Sequence, residues 1–193
     1  MKNSYNIILF CPQHGGHHLA NLLNLSFGSV NKTEILDIYN TNPKLILGHR
    51  EYKKKNLSQI TDHIYFEVDN AINNNVVSAF HFEHMEMFHF DMKNVWEDYE
   101  IKNLFVITTI TDKDHLVWKR NPDWTFITQK QNYHLYNERV CERLFVEWNV
   151  KEIMAENLFR DSLDLLTPDM PIDKYLEPVH KLWFNKILEQ VNE

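Results

Sequence analysis

The chain has 193 residues, 44% hydrophobic and 13% aromatic, enough apolar material for a sizeable core in one domain spanning residues 1–193. Its net charge of −7 argues against a general nucleic-acid binder, and 2 distant cysteines, Cys11 and Cys141, argue against a disulfide framework. No apolar run approaches the ~20 residues of a membrane span and no signal-peptide pattern begins the chain, so we expect a cytoplasmic protein without membrane insertion.

The first predicted element is a strand that passes through a glycine turn into a helix. Ile7–Phe10 has the length and β-branched content of a strand buried on both faces. The chain then turns at Pro12–Gly16, which holds two of its 4 glycines, and enters a leucine-rich amphipathic helix. Such a turn leaves N–H groups pointing outward at the positive end of the helix dipole. The turn therefore predicts a phosphate or sulfate site.

A second helix and a second strand follow this unit. Asn31 and Glu34 have the spacing of a helix cap, ahead of an apolar side that includes Tyr39. Asn73–Asn75 predicts a turn, and Val76–Phe80 predicts a strand.

The third strand and the helical end of the chain come next. Leu104–Ile107 predicts a strand, and Thr111 with Asp114 predicts the start of a helix. From about Tyr133 the pattern is helical throughout, and Pro178 suits the first turn of a last helix.

Alternating strands and helices predict an α/β fold. We expect a three-layer sandwich, in which a short parallel sheet of about three to five strands lies between helices, with a helical C-terminal third. Ligands on such sheets bind outside the carboxyl ends of the strands. By that rule we expect three loops to lie together at the carboxyl edge of the sheet: Pro12–His18, His81–His89 and Thr108–Asp114.

The first loop resembles the phosphosulfate loop of a known enzyme family. Cys11 to Leu19 reads Cys-Pro-Gln-His-Gly-Gly-His-His-Leu. It is similar to the sulfotransferase loop Pro-(Lys/Arg)-Ser-Gly-(Thr/Ser)-Thr, followed by an apolar residue. Sulfotransferases have a P-loop-like α/β core and transfer a sulfuryl group from PAPS, 3′-phosphoadenosine 5′-phosphosulfate, to a hydroxyl. The small phage and bacterial members have tail helices similar in style to those predicted here.

The resemblance implies two groups of ligands for PAPS. The residues implied for its 5′-phosphosulfate are Pro12, Gln13, His14, Gly15, Gly16, His17 and His18. Those implied near its 3′-phosphate are Thr108, Thr109 and Thr111. The acceptor is left open among a sugar or glycan, a small alcohol, a lipid and a tyrosine.

The chain also departs from the family pattern, always by losing charge. Gln13 replaces the lysine or arginine of the loop, and Thr108–Thr111 replaces an Arg/Ser pair. Replacement cations would have to come from Lys113, Lys119, Arg120, the Arg50–Lys55 run or protonated histidines. The departures leave two hypotheses, a divergent enzyme and a non-catalytic protein that binds a phosphorylated ligand or a protein partner.

Histidines are the candidates for catalysis. His81, at the end of the second strand, is the first candidate for the base that removes the acceptor proton; His84 and Glu83 follow, and His17 could contact the leaving oxygens. The alternative for His81 is an ordinary loop histidine, and for His17 and His18 solvation of a helix start.

Two other kinds of chemistry are weighed against the sulfotransferase. No Gly-Lys-Ser/Thr follows the glycines, which argues against a kinase or NTPase. The pairs His14-x-x-His17-His18 and His81-x-x-His84 have spacings that a zinc-dependent hydrolase could use. No His-Glu-x-x-His motif supports that hypothesis, and we predict no metal site. Cys11 is expected to be a small buried residue rather than a nucleophile.

Overall fold

The computed structural model describes residues 4–10, 14–41, 72–81, 100–108, 110, 112, 114–119, 150–166 and 170–192. Four strands lie in this part of the chain: β1 Ser4–Phe10, β2 Ser78–His81, β3 Glu100–Ile107 and β4 Val150–Ile153. The helices are α1 Gly16–Ser26, α2 Lys32–Thr41, α3 Leu116–Lys119, α4 Ala155–Leu158 and α5 Glu177–Asn192, and a 3₁₀ turn, Lys174–Leu176, precedes α5. The predicted α/β class is confirmed.

The four strands form one parallel sheet in the order β2-β1-β3-β4. In the register of β1 with β3, Ile7 pairs with Leu104 and Leu9 with Val106. Both β1 and β3 contain the apolar runs that the sequence marks as strands. Because parallel sheets are covered on both faces, their central strands are the most continuously apolar segments of a chain.

Both faces of β1 are buried. Ile8 and Phe10 face the main core cluster together with the helices, and Ile7 and Leu9, which alternate with them, are also inaccessible to solvent. The predicted double burial of this strand is therefore confirmed. The glycine turn before α1 therefore follows a strand that is fixed within the core.

Local signals explain the limits of the first two helices. Gly28 has a φ of +69°, and the N–H groups of Gly28 and Ser29 donate to the carbonyls of Leu25 and Asn24 at the end of α1. This is the Schellman arrangement, which glycine adopts without steric cost. At the start of α2, the Asn31 side chain accepts from the Thr33 N–H at 2.8 Å, which confirms the predicted cap.

The predicted last helix is present as α5, and one side of it is apolar. Val179, Trp183 and Ile187 are buried at helical spacing, and Pro178 lies in the first turn of α5.

The prediction that the chain is helical throughout from about Tyr133 is wrong, because β4 lies beyond that residue. Val150–Ile153 contains lysine and glutamate, which suit a helix or an exposed strand edge equally well. It pairs with β3 instead, and Lys151 lies opposite Phe105 with its ammonium 5.9 Å from the ring centroid. Pairing with a buried neighbour outweighs the weak local preference.

Three predicted boundaries also move. The strand expected at Val76–Phe80 runs from Ser78 to His81. A helical turn extends through Asn74, and the chain reverses at Asn75, whose φ is +52°. The short α3 begins at Leu116 rather than directly after Thr111. None of the helices within the described ranges combines the length and apolar character needed to cross a bilayer.

Candidate functional site

The carboxyl ends of the strands define the region in which a ligand would bind. The chain leaves β1 for β2 on one side of the sheet and returns to β3 on the other side, so the strand order reverses between β1 and β3. Open α/β sheets bind ligands in the crevice at such a switch point. The turn before α1 and the segment after β3 lie at this switch point.

The two glycines at the start of α1 are required for different structural reasons. Gly15 has a φ of +77°, and a Cβ there would lie 3.5 Å from both Leu158 Cδ1 and Trp183 Cη2, an ordinary contact distance. Gly16 is buried against the Phe10 ring, where a Cβ would be 2.6 Å from one ring carbon and closer to two others. The glycine pair thus lets the chain turn at Gly15 and approach Phe10 at Gly16.

The N-cap residue of α1 supplies no side-chain hydrogen bond to the helix. Gly15 is the N-cap residue and offers no side chain, and the first turn contains no acidic residue. The first backbone bond of the helix runs from the Leu19 N–H to the Gly15 carbonyl at 3.0 Å. The N–H groups of Gly16 and His18 come before this bond and have no acceptor inside the helix itself. This is the donor arrangement that anion sites at helix starts use.

His14 bridges the two sides of the switch point. Its side chain is fully buried, and its Nε2 accepts a hydrogen bond from the Ile110 N–H at 3.2 Å. The ring meets Trp118 edge-on, with 5.3 Å between centroids. The imidazole therefore ties the turn after β1 to the segment after β3, and occupies space between them.

His18 points into the core. Its Nδ1 is 2.6 Å from the Tyr39 hydroxyl, and its Nε2 is 2.8 Å from Nδ1 of His180. The ring is stacked on Trp183, with 4.0 Å between centroids and 1° between planes. Burial, and the neighbouring His180, lower the pKa of His18 well below its ordinary value. His18 is therefore neutral at neutral pH and would have to give up one of these bonds to contact an anion.

The two candidate catalytic histidines occupy different positions. His17 is half-buried at the start of α1, and its ring meets that of Phe10 edge-on at 4.8 Å. His81 is the last residue of β2 and pairs in register with Phe10, the last residue of β1. The backbone of His81 thus reaches the carboxyl edge of the sheet next to the glycine turn; its side chain lies outside the description.

Of the three threonines implied near the 3′-phosphate, only Thr108 lies among the described residues. Its N–H donates to the Ile153 carbonyl at 2.9 Å, and its hydroxyl accepts from the Ala155 N–H at 3.3 Å. These bonds tie the end of β3 to the start of α4. Pro12, Gln13, Thr109 and Thr111 lie outside the described residues.

Sequence reasoning missed several polar groups after β3 and β4. His115 is half-buried, and its Nδ1 accepts from the Val117 N–H at 3.3 Å, at the start of α3. Burial lowers the pKa of His115; the carboxylates of Glu156 and Asp112 oppose this effect and Arg160 adds to it. Arg160 therefore brings a cationic group near this edge, although no residue spacing in the sequence indicates it.

The predicted cation sources are only partly described. Lys119 is exposed on α3. Lys113, Arg120 and the Arg50–Lys55 run lie outside the described residues.

The histidine pairs that could indicate zinc do not converge where they are described. His14 bonds to Ile110, His17 contacts Phe10, and His18 bonds to Tyr39 and His180. Across the described ranges, no group of three or more His, Cys, Asp or Glu side chains could hold a metal ion. His84, His89 and Cys11 lie outside these ranges.

Comparison of the chain with protein-family models, with curated proteins and with solved structures finds no match. The resemblance to sulfotransferases therefore depends on the loop residues themselves.

Proposed function

We propose that this chain is a sulfotransferase-like protein that binds a phosphate ester, of the class of 3′-phosphoadenosine nucleotides, at the amino end of α1. One observation carries the proposal. A helix whose N-cap residue is a glycine without a side-chain cap follows β1, one of the two inner strands of the four described, at the point where the strand order reverses. The sequence Pro12–His18 at this point resembles the phosphosulfate loop.

The proposal includes a three-layer, P-loop-like core. Two facts support it: Ile7 and Leu9 are buried on the sheet face opposite Ile8 and Phe10, and all four strands are parallel. Sheets of that kind are covered by helices on both faces.

Binding is the step that the described residues favour, because α1 itself contains no lysine or arginine. Main-chain N–H groups hold oxyanions without a side-chain charge, but sulfuryl transfer also requires stabilisation of charge on the leaving phosphate. His18 is neutral and its two ring nitrogens are engaged. The primary proposal is therefore a non-catalytic, or weakly catalytic, nucleotide-binding protein.

Calorimetry with 3′-phosphoadenosine 5′-phosphate tests the binding. We expect saturable heat, and tighter binding by Gln13→Lys, because a charge-assisted hydrogen bond contributes about 1.5–3 kcal/mol, roughly tenfold or more in Kd. The matched control is Gln190→Lys, the same change of charge near the end of α5, which should bind as the wild type does. No heat and no thermal shift at about millimolar nucleotide would rule the proposal out.

A second candidate function, catalysis, has one specific observation in its favour. The register that pairs His81 with Phe10 brings this histidine to the edge of the sheet beside the glycine turn. In this version His81 accepts the proton of the acceptor hydroxyl, while the oxygen of that hydroxyl attacks the sulfur of PAPS. The bond from sulfur to the bridging oxygen breaks, and 3′-phosphoadenosine 5′-phosphate leaves.

An assay for the conversion of PAPS to 3′-phosphoadenosine 5′-phosphate distinguishes the two functions. It is run in the presence of sugars, small alcohols, lipids or tyrosine peptides as acceptors. Catalysis through His81 predicts that His81→Ala lowers the rate by about 10²–10⁴-fold. Nucleotide binding should stay unchanged in that variant. Binding without transfer to any acceptor selects the non-catalytic protein.

A further inference from the structure

A continuous chain of hydrogen bonds passes through the core where α1, α2 and α5 meet. Asn21 Nδ2 is 3.1 Å from the Tyr39 hydroxyl, and that hydroxyl is 2.6 Å from His18 Nδ1. His18 Nε2 is 2.8 Å from His180 Nδ1, and His180 Nε2 is 2.7 Å from the carbonyl oxygen of Arg160. The side chains of Asn21, His18, Tyr39 and His180 are all buried.

The carbonyl at one end fixes the direction of every bond in this chain. A carbonyl oxygen only accepts, so His180 Nε2 carries a hydrogen, and in the neutral ring its Nδ1 is an acceptor. His18 Nε2 must then donate to it, which leaves His18 Nδ1 as an acceptor. Tyr39 consequently donates its O–H to His18 and accepts from Asn21. With both imidazoles neutral, each group in the chain is satisfied.

One added proton disrupts this arrangement. Protonation of His180 at Nδ1 sets two N–H groups against each other unless His18 moves its own hydrogen to Nδ1. That change makes Tyr39 an acceptor twice over and leaves its O–H without the partner that it had. The added charge also lies in a site from which solvent is excluded, where it is costly. The ring of Trp183, whose centroid lies 6.0 Å from that of His180, offsets part of this cost as a cation–π contact.

The charged groups around the pair determine which ring takes the proton. From α5, Glu177 favours charge on His180 and Lys181 opposes it; from the segment after α4, Asp161 favours it. On the α2 side the titratable group is Tyr39, and on the α1 side it is His18 itself. His180 is thus the point of entry, and His18 is the ring that must respond.

We propose that the His18–His180 pair is an acid-labile latch, which holds α5 against α1 and α2 while both rings are neutral and releases α5 when the pair takes up a proton. The latch does not depend on the function proposed above. Release would also expose the amino end of α1, because Trp183 of α5 lies beside Gly15.

The direction of the pH effect follows from the environment of the two rings. Burial lowers the pKa of His18 and of His180 in the folded protein from the ordinary value of about 6.5. The open state therefore binds protons first as the pH falls below that value. The equilibrium for opening should rise about tenfold per pH unit for one proton and about a hundredfold for two.

Hydrogen exchange of the wild-type chain tests the latch. Rates corrected for intrinsic exchange should change little in the peptides of α5 between pH 7.5 and about pH 6.5, the ordinary histidine pKa, and should rise by about tenfold or more per pH unit below it. Peptides of β1 and β3 should keep their protection. Corrected rates that do not change with pH would overturn the latch, and so would equal loss of protection in α5 and β3, which indicates global unfolding.

Two variants identify the group that titrates. His180→Gln keeps an N–H for the Arg160 carbonyl and cannot be charged. The factor by which exchange in α5 rises per pH unit should therefore be about tenfold smaller than in the wild type. His115→Gln removes a different histidine, also of lowered pKa, and should retain the wild-type pH dependence. Equal effects of the two variants would overturn the assignment.

A measurement on the wild type decides the matter if His180→Gln does not fold. Long-range ¹H–¹⁵N spectra at pH 7.5 should show both His18 and His180 neutral with the hydrogen on Nε2. An Nδ1–H form of either ring, or a charged ring, would overturn the latch. The expected pair of tautomers would support it independently of any variant.

Discussion

Gly16→Ala is the sharpest test of why two glycines begin α1. Gly16 has a helical backbone, and alanine is the better helix former by about 0.8–1.0 kcal/mol at interior positions. If the glycine served only to leave space for an anion, alanine would be neutral or stabilising. The packing against Phe10 predicts the opposite sign.

The structure gives the size of the effect. The new Cβ would be 2.6 Å from one carbon of the Phe10 ring and closer to two others, whereas ordinary contact begins at 3.4 Å. The difference, 3.4 − 2.6 Å, means that a buried ring must move by at least about 0.8 Å. Overpacking of this kind costs about 2–3 kcal/mol, which corresponds to a fall in Tm of about 4–12 °C.

Gly28→Ala is the matched control, because nothing lies within 4 Å of a Cβ there and only the φ of +69° is unfavourable. It should cost about 1–2 kcal/mol. Urea denaturation measures both variants. Adding Phe10→Leu should restore part of the stability of Gly16→Ala, with a coupling of about 1 kcal/mol or more, and should not rescue Gly28→Ala. A Gly16→Ala protein as stable as the wild type would refute the packing explanation.

Two further predictions concern Tyr39. Tyr39→Phe leaves the acceptor nitrogen of His18 and the amide of Asn21 unsatisfied in the core, and should cost about 1–3 kcal/mol in urea denaturation. The control is Tyr175→Phe, because Tyr175 is exposed and its hydroxyl makes only a long hydrogen bond of 3.4 Å. It should change stability by less than about 0.5 kcal/mol. Equal costs would contradict the buried chain. Burial raises the pKa of Tyr39 above its ordinary value, despite the Asn21 bond that lowers it, so its contribution to stability is complete below about pH 10 and is lost as the pH rises further. In an alkaline titration followed by tyrosinate absorbance, at least one of the 8 tyrosines, Tyr39, should ionise only together with unfolding. Reversible ionisation of all of them in the folded protein would be the contrary result.

The parts of the fold that sequence predicts best are those decided by burial. Ile7–Phe10 and Leu104–Ile107 are apolar throughout because both faces of β1 and β3 are covered, and no other local structure explains such short runs between turns. The strand Val150–Ile153 carries no comparable signal. It pairs with only β3 among the described strands, and its polar residues suit that edge position. Its identity is determined by a neighbour about 45 residues earlier in the chain, which no local pattern contains.

The directions of the histidine side chains could not be predicted from the sequence, because residue type does not reveal where a side chain points. The motif His14-x-x-His17-His18 reads as three polar groups in one loop, which favours a ligand. In the structure His14 points to Ile110, His17 contacts Phe10, and His18 points to Tyr39 and His180. Successive residues of a helix differ by about 100° in direction, so adjacent histidines at its start serve different surfaces.

The periodicity of three helices contained the missing information. His18 precedes Leu22 and Leu25 by four and seven residues, so it lies on the buried stripe of α1. Tyr39 lies four residues after Ile35 on α2, and His180 lies three residues before Trp183 on α5, again on buried stripes. A titratable ring on an apolar stripe must find a polar partner, and the apolar stripes of neighbouring helices face one another in the core. Three helices that each carry one such ring therefore satisfy one another, and the price of that arrangement is sensitivity to a single proton.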